Sequence, residues 1–297
     1  MRGPLPGRAV LALGLAACST APMPEKTLPL VVVSIFPVAD LVASVGGEDV
    51  EVRTLLPPRA SPATWEATPS QVRMLSGADA FVAVGGGLDD WLGGLEPDEA
   101  RMPHLRIVDG LELLDTEGDA RRHGRGNPHV WLDPVLMRDN VIPRVQDLLI
   151  QLVPEAAEGI RGRAASWADS LTALDREIRN LLDDATSRSF VATHEAWGYF
   201  AKRYGLTSLG SLYERPGHEP SAQGLALVLE GARDARLTAI LTEPQLAESA
   251  AKALAAELGG EVLLVDPLGG PGLPGRERYC DLMRFNARSF RAALEAR

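Results

Sequence analysis

The chain has 297 residues, of which 45% are hydrophobic and 24% charged, an ordinary composition for one large or two medium globular domains. The formal net charge is -10, and it becomes -12 without the first 17 residues, because loss of Arg2 and Arg8 leaves 28 basic against 40 acidic residues. Such an acidic surface excludes nucleic acid as a partner and suits a protein that meets cations.

The first 18 residues have the pattern of an export signal. Arg2 and Arg8 accompany an apolar run of about nine residues that ends at Ala17, which is too short to span a bilayer. Cys18 follows Leu-Ala-Ala and resembles the cysteine of a bacterial lipobox, which implies cleavage before Cys18 and lipidation of its thiol. A plain secretory signal with a chance cysteine is the alternative.

The same segment predicts where the protein resides. Residues 19–27 are small, polar or proline and suit a tether. No later apolar run is long enough to cross a membrane. We therefore predict a signal peptide over residues 1–18, a tether over 19–27, and an exported protein, in the periplasm or at the cell surface, that is held to the membrane by its lipid alone.

Strand and helix patterns alternate in the first part of the mature chain. Short apolar runs at 28–36, 51–56 and 81–87 predict strands. Helical patterns lie between them, at 37–45 and 68–80. This alternation is typical of a parallel sheet with helices on its faces, and it predicts an α/β lobe over residues 28–153.

A long amphipathic pattern follows. From Glu155 to about Ala185, apolar residues recur every three or four positions and predict one helix about 45 Å long. Gly159 and Gly162 weaken its first turns, so we expect its firm part to begin after them. We assign residues 154–187 to a rigid linking helix.

The alternation of strands and helices then resumes. We predict strands at 190–193, 208–212, 239–242 and 261–265, and helices at 196–204, 221–235, 247–258 and 277–296. Residues 188–297 thus form a second lobe. The predicted fold is α/β, with two lobes that each contain a mainly parallel sheet flanked by helices and are joined by one long rigid helix. Ligands bind beyond the carboxyl ends of such strands, which places a site in the cleft between the lobes.

Three side chains with metal-binding chemistry lie at strand ends or in turns that face this cleft. His129 lies in the turn NPHVWLDP, His194 follows a strand in THEAWGYF, and Asp266 follows the strand EVLLV. Taken one at a time, each residue could be present only because it suits a turn or caps a helix. Because all three face the same predicted cleft, we favour the interpretation that they form one site. Two neutral imidazoles and a carboxylate suit zinc better than calcium or magnesium, and leave an open coordination position.

The order of motifs resembles one family from about Leu30 to the C-terminus. The family is the cluster A-I solute-binding proteins, the zinc- and manganese-binding lipoproteins of bacterial ABC importers, and the motifs are LLPPRASPATWEATPSQ, ADAFVAVGGGLDDWL, NPHVWLDP, THEAWGYFAKRYGL, HEPSAQGL, LTEPQL and VDPLGG. The resemblance implies a protein that is not an enzyme. It implies capture of Zn²⁺, or of Mn²⁺ as second choice, between the lobes, and delivery by a monomer to an ABC permease and its ATPase.

The resemblance also assigns roles to individual residues. His129 matches the second metal ligand of the family, His194 the third and Asp266 the fourth. The first ligand is missing, because Ala63 stands where the family usually has a histidine. Asn127 replaces the family's usual aspartate two residues before His129, and this removes a carboxylate that could orient the histidine.

Three interpretations of Ala63 remain open. In the first, a nearby side chain supplies the fourth ligand, and the candidates are Glu66, His218 and His123. In the second, water completes a three-ligand site of weaker affinity. In the third, the site has degenerated and the protein is an adhesin or other binding scaffold without metal transport.

A metal-dependent hydrolase is the alternative from another class. Two histidines, one carboxylate and an open position resemble a hydrolytic zinc site, with Glu195 or Glu219 as general base. The chain has neither an HExxH pair nor a GxSxG nucleophile elbow, which argues against it.

Overall fold

The structure is a computed structural model that describes Gly3 and residues 28–95, 101–115, 126–213 and 220–296. Cys18 and the predicted tether lie outside the described residues, as does the predicted signal peptide apart from Gly3. The candidate ligands His123 and His218 and the candidate base Glu219 also lie outside them.

The first sheet has four parallel strands in the order β2-β1-β3-β4. The strands are β1 (Leu30–Val33), β2 (Glu51–Thr54), β3 (Ala80–Ala83) and β4 (His104–Arg106). Helix α1 (Phe36–Gly46) follows β1, and α2 (Pro69–Ser76) precedes β3. Short 3₁₀ turns lie at Gly47–Asp49 and Asp90–Leu92. The sequence did not predict β4, because only the middle residue of this three-residue strand is buried and no apolar run marks it.

A helical segment leads from the first sheet to the long helix. It begins with a 3₁₀ turn, Val130–Leu132, and an α-helical turn, Pro134–Leu136. A π-helical turn, Met137–Val141, then precedes α3 (Ile142–Leu152). A last 3₁₀ turn, Pro154–Ala156, enters the long helix.

The long helix, α4 (Ala157–Asp183), has 27 residues. It buries a stripe of apolar side chains at three- and four-residue steps, as predicted. The expectation that its firm part begins after Gly159 and Gly162 is wrong, since α4 includes both glycines. The guanidinium of Arg163 explains why: it donates to the carbonyls of Val45 and Gly46 at 2.8 and 2.9 Å and so fixes the first turns of α4 against α1.

The second sheet repeats the topology of the first, with four parallel strands in the order β6-β5-β7-β8. Its strands are β5 (Ser189–Ala192), β6 (Thr207–Ser211), β7 (Ala239–Thr242) and β8 (Glu261–Leu264). Its helices are α5 (Gly198–Tyr204), α6 (Ala222–Asp234), α7 (Ser249–Glu257) and α8 (Tyr279–Glu295). Two parallel sheets flanked by helices and joined by a long helix confirm the predicted fold class.

The two lobes share one core and several direct bonds. A single cluster of buried apolar side chains contains Trp131 from the first lobe and Trp197 from the second. The indole Nε1 of Trp131 donates to the carbonyl of Pro267 at 2.7 Å, and the Tyr279 hydroxyl donates back to the carbonyl of Trp131 at 2.7 Å. Opening the cleft would break these buried bonds and expose apolar surface, so the structure favours a fixed arrangement of the lobes.

None of the helices in the described ranges combines the length and the hydropathy that a membrane span requires.

Candidate metal site

Two histidines from opposite lobes meet in the cleft. The Nε2 atoms of His129 and His194 are 3.3 Å apart, and their ring centroids are 5.1 Å apart. His129 belongs to the turn that precedes the first helical segment, while His194 follows the carboxyl end of β5. The cleft therefore brings together two residues that are 65 positions apart in the chain.

Asn127 orients His129. Its Oδ1 accepts hydrogen bonds from the backbone N–H of His129 at 2.9 Å and from Nδ1 of the same residue at 2.8 Å. Its Nδ2 donates to the carbonyl of Glu195 at 2.9 Å, which fixes the direction of the amide and links the two lobes. The substitution of the family's aspartate removes a charge from this position but keeps an acceptor for the histidine.

Glu243 orients His194. The carboxylate follows the last residue of β7 and is 1% exposed. Its Oε2 is 2.8 Å from Nδ1 of His194, and its Oε1 accepts from the indole Nε1 of Trp197 at 3.1 Å. A buried carboxylate behind an imidazole holds the ring in one orientation and makes its outer nitrogen a better metal ligand.

These bonds fix the tautomers of both rings. Each Nδ1 faces an acceptor oxygen and therefore carries a proton, which leaves the lone pair of each Nε2 directed at the other ring. Two lone pairs at 3.3 Å repel each other unless a cation or a proton lies between them. Two nitrogens bound to one tetrahedral zinc at about 2.0–2.1 Å lie about 3.3–3.4 Å apart, so the pair already has the spacing of two ligands.

The two histidines have opposite pKa shifts. Burial lowers the pKa of His129 well below its usual value, and the positive charge of a protonated His194 lowers it further. Burial also acts to lower the pKa of His194, but the charge and hydrogen bond of Glu243, helped by Glu195, outweigh it and raise that pKa. The pair therefore takes its first proton on His194 and shares it with neutral His129. A divalent cation bound at the same position would replace that proton.

Asp266, the third predicted ligand, is fully buried at the end of β8 and is occupied by other donors. Its Oδ1 accepts from Gln245 Nε2 at 2.9 Å and from the backbone N–H groups of Leu268 and Gly269, both at 3.0 Å. Its Oδ2 accepts from Nη1 of Arg276 at 3.0 Å. In this arrangement no lone pair of Oδ1 is free, and Oδ2 is paired with a cation.

The structure therefore brings two of the three predicted ligands together. Over the residues it describes, no group of three or more His, Cys, Asp or Glu side chains is placed to hold a metal ion. Ala63 lies in an exposed turn, where the backbone N–H groups of Thr64 and Trp65 bond to the carbonyl of Ser61. Glu66, a candidate fourth ligand, is exposed.

Glu243 and Arg276 are site residues that the sequence prediction missed. Glu243 stands directly after the strand at 239–242, so the strand-end argument that selected Asp266 would also have selected Glu243. No such signal marks Arg276, which lies in a Gly- and Pro-rich loop ten residues after Asp266 and reaches it only through the folding of that loop.

Two lobes with parallel sheets, joined by a long helix and with a histidine pair in the cleft, fit a two-lobed solute-binding protein. The family described as ZnuA, zinc-uptake complex component A, periplasmic, matches residues 31–293, and the chain belongs to this family. Family membership confirms the predicted resemblance and places the chain among solute-binding transport components, not enzymes. The family's periplasmic description also supports the predicted export.

Known relatives and structures agree with this assignment. Zinc-binding protein AdcA of Streptococcus pyogenes serotype M3 is 26% identical over an alignment of 288 residues that covers 89% of this chain and 56% of AdcA, so the chain spans about half the length of that relative. High-affinity zinc uptake system protein ZnuA of Bacillus subtilis is 25% identical over 280 residues, covering 89% of this chain and 87% of its own. The crystal structure of a 138–173 deletion mutant of ZnuA with zinc bound has a TM-score of 0.80 and 29% identity, and the match covers 91% of this chain and all of that one.

Proposed function

We propose that this chain is the exported receptor of a metal importer and captures Zn²⁺ with His129 and His194 in the cleft between its lobes. The observation that carries the proposal is the position of the two Nε2 atoms, which lie 3.3 Å apart. An acceptor behind each ring holds the proton on Nδ1, so the lone pairs of the two Nε2 atoms point at each other. Preorganised imidazole nitrogens favour zinc over manganese, which binds such ligands more weakly and prefers oxygen. Manganese is the second candidate cargo.

Other ligands complete the coordination of the ion. Asp266 remains the predicted carboxylate ligand, and water or one of Glu66, His123 and His218 takes the place that Ala63 leaves. The ion passes from the cleft to an ABC permease, which is driven by its ATPase. We further propose that the receptor acts as a monomer and that lipidated Cys18 tethers it to the membrane through residues 19–27.

Calorimetric titration of the purified, chelator-treated protein with Zn²⁺ and Mn²⁺ tests the site. We expect zinc to bind more tightly than about 1 μM, which corresponds to about 8 kcal/mol, and manganese to bind less tightly. His129→Ala and His194→Ala should each abolish this binding. His104→Gln is the matched control, because His104 is a partly buried histidine on β4 outside the pair. Absence of binding in the wild type, or equal binding by the His129 variant, would overturn the proposal.

The role of Ala63 is tested by restoring the missing histidine. Ala63 is exposed, so Ala63→His places an imidazole there without displacing core residues. If water fills this coordination position, the variant should bind zinc more tightly, since a nitrogen ligand replaces a water. Unchanged affinity would show that a side chain already fills the position, and separate substitutions Glu66→Gln, His123→Ala and His218→Ala would then identify it.

Transport itself requires a test in cells. A strain without this chain should need more zinc for growth in chelator-treated medium, and the wild-type chain should restore growth while His129→Ala should not. Normal growth of the deletion strain under zinc limitation would favour the adhesin or binding-scaffold alternative. Cys18→Ser should move the protein from the membrane fraction to the soluble fraction if the lipid is its only anchor.

A further inference from the structure

Arg276 forms a buried ion pair with Asp266, the carboxylate that the proposed site takes as a ligand. The Arg276 side chain is 10% exposed and that of Asp266 is 0% exposed. All other donors to this carboxylate, Gln245 and two backbone N–H groups, bind Oδ1. Within the described ranges, Arg276 is the one donor to Oδ2, so Oδ2 is the oxygen that a metal ion would take once the guanidinium moves away.

The contacts of Arg276 allow its side chain to move away from Asp266 while its backbone stays in place. Its guanidinium lies over the ring of Phe285, 5.0 Å from the centroid, and its buried Nε has no hydrogen-bond partner among the described residues. The loop backbone is held separately, since Arg276 N–H donates to the carbonyl of Leu273 and its carbonyl accepts from Gly270. Release of the guanidinium therefore breaks the ion pair and the contact with Phe285, and leaves the loop backbone intact.

We propose that Arg276 is a residue that sets metal affinity, because it pairs with Oδ2 of Asp266 and must give up that oxygen before Asp266 can bind the ion. This inference rests on the proposed function, since it takes Asp266 as a ligand of the captured metal. A divalent ion on Oδ2 beside the guanidinium meets a like charge at close range. The free energy of metal binding is therefore reduced by the cost of displacing Arg276.

A double-mutant cycle on zinc affinity tests the competition. Arg276→Gln keeps a hydrogen-bond donor near Oδ2 but removes the charge, and it should tighten zinc binding by about 10- to 100-fold, the range for residues that support metal ligands. Asp266→Asn should weaken binding, and adding Arg276→Gln to Asp266→Asn should change nothing further. Additive effects of the two substitutions would overturn the proposal.

Arg233→Met is the control for the loss of one positive charge. Arg233 lies on α6, is 56% exposed and pairs with Glu257 at the surface of the second lobe, so its removal changes the net charge without touching Asp266. Its zinc affinity should match that of the wild type. An increase equal to that of Arg276→Gln would show a general charge effect and would also overturn the proposal.

Thermal unfolding separates this role from a purely structural one. Without its cation, Asp266 is a buried, uncompensated carboxylate in the metal-free protein, so Arg276→Gln should lower the unfolding midpoint. Saturating zinc should raise that midpoint by more in the variant than in the wild type. An equal rise in both proteins would assign Arg276 to the fold alone. Arg276→Met provides the same comparison if the glutamine variant does not fold.

The failures of the two proposals are distinguishable. If His129→Ala and the wild type bind zinc equally, the site itself is refuted whatever Arg276 does. If His129→Ala loses binding while Arg276→Gln binds like the wild type, only the competition for Asp266 is refuted.

Discussion

Each histidine of the pair is supported by a different kind of acceptor. A neutral amide, Asn127, stands behind His129, whereas a carboxylate, Glu243, stands behind His194. The carboxylate increases the electron density of its imidazole and the amide does not, so His194 is the stronger base and, in the proposed site, would be the stronger ligand of the two. The opposite pKa shifts of the two rings express the same asymmetry.

Removal of the charge on Glu243 should therefore weaken metal binding. We expect Glu243→Gln to reduce zinc affinity by about 10- to 100-fold, because His194 loses its charged partner and the amide can offer only one oxygen to two donors, His194 Nδ1 and Trp197 Nε1. Calorimetric titration measures the effect.

Glu248→Gln is the control for this substitution. Glu248 precedes α7, is 45% exposed and pairs with Lys252 four residues on, in a surface ion pair that contributes little. Its zinc affinity should equal that of the wild type. Equal affinities of both glutamine variants would show that Glu243 has no part in the site.

Zinc affinity should also depend on pH through His194. Because its pKa is raised, His194 is protonated below that pKa, and the ion must then displace a proton from Nε2. Affinity should fall as the pH decreases through the raised pKa of His194 and level off above it, whereas His129, with its lowered pKa, stays neutral over this range. Titration in buffers of different ionisation enthalpy should show release of a proton in the lower part of the range. Affinity that is independent of pH between about 6 and 8 would contradict this account.

At the scale of the elements, Asp133 connects the helical segment after the histidine turn to the second lobe. Its Oδ1 caps the turn Pro134–Leu136 by accepting from the backbone N–H of Val135 at 2.8 Å. The other oxygen pairs with Arg203 on α5 at 2.8 Å. One buried carboxylate thus caps the start of a helical turn of the first lobe and binds a helix of the second.

Asp133→Ala should destabilise the protein by about 3 kcal/mol, since it removes a helix cap and leaves Arg203 without its buried partner. Urea denaturation monitored by circular dichroism measures the change. Asp139→Ala is the matched control, because Asp139 is 50% exposed and its pair with Arg138 lies at the surface; we expect a change below about 0.5 kcal/mol. Similar losses for the two variants would refute the role of Asp133.

The elements were more predictable from sequence than the site. Long or fully buried elements have a periodic apolar pattern, so α4 and β7 could be located from residue order alone. Strand β4 could not be located in this way, because a strand with one buried residue has no repeating pattern of apolar side chains. Strand-end logic identified His194, but the ion pair of Arg276 with Asp266 depends on how an irregular loop folds back, which no local pattern records.

At the scale of the whole molecule, the cleft is closed by bonds that do not involve a metal. Arg278 and the backbone N–H of Tyr279 bind Asp40 across the lobes at 2.9 and 2.8 Å, in addition to the bonds of Trp131. These bonds hold the two histidines together without a contribution from an ion. Under the proposed function, metal capture requires side-chain movement near the site rather than rotation of one lobe on the other.

Small-angle X-ray scattering of the metal-free and zinc-saturated protein tests this rigidity. A compact chain of this length has a radius of gyration of about 19 Å, and we expect the same value in both states. The zinc-saturated protein should nevertheless be more stable to heat, by about 2.7 kcal/mol at a free zinc concentration 100 times the dissociation constant, because the ion binds only the folded chain.

Trp131→Phe, which removes the indole bond to Pro267 and keeps an aromatic core residue, should enlarge the metal-free protein if that bond holds the cleft shut. A wild-type radius that shrinks when zinc is added would instead mean that the lobes close on the ion, and that the shared core yields to rotation of the lobes.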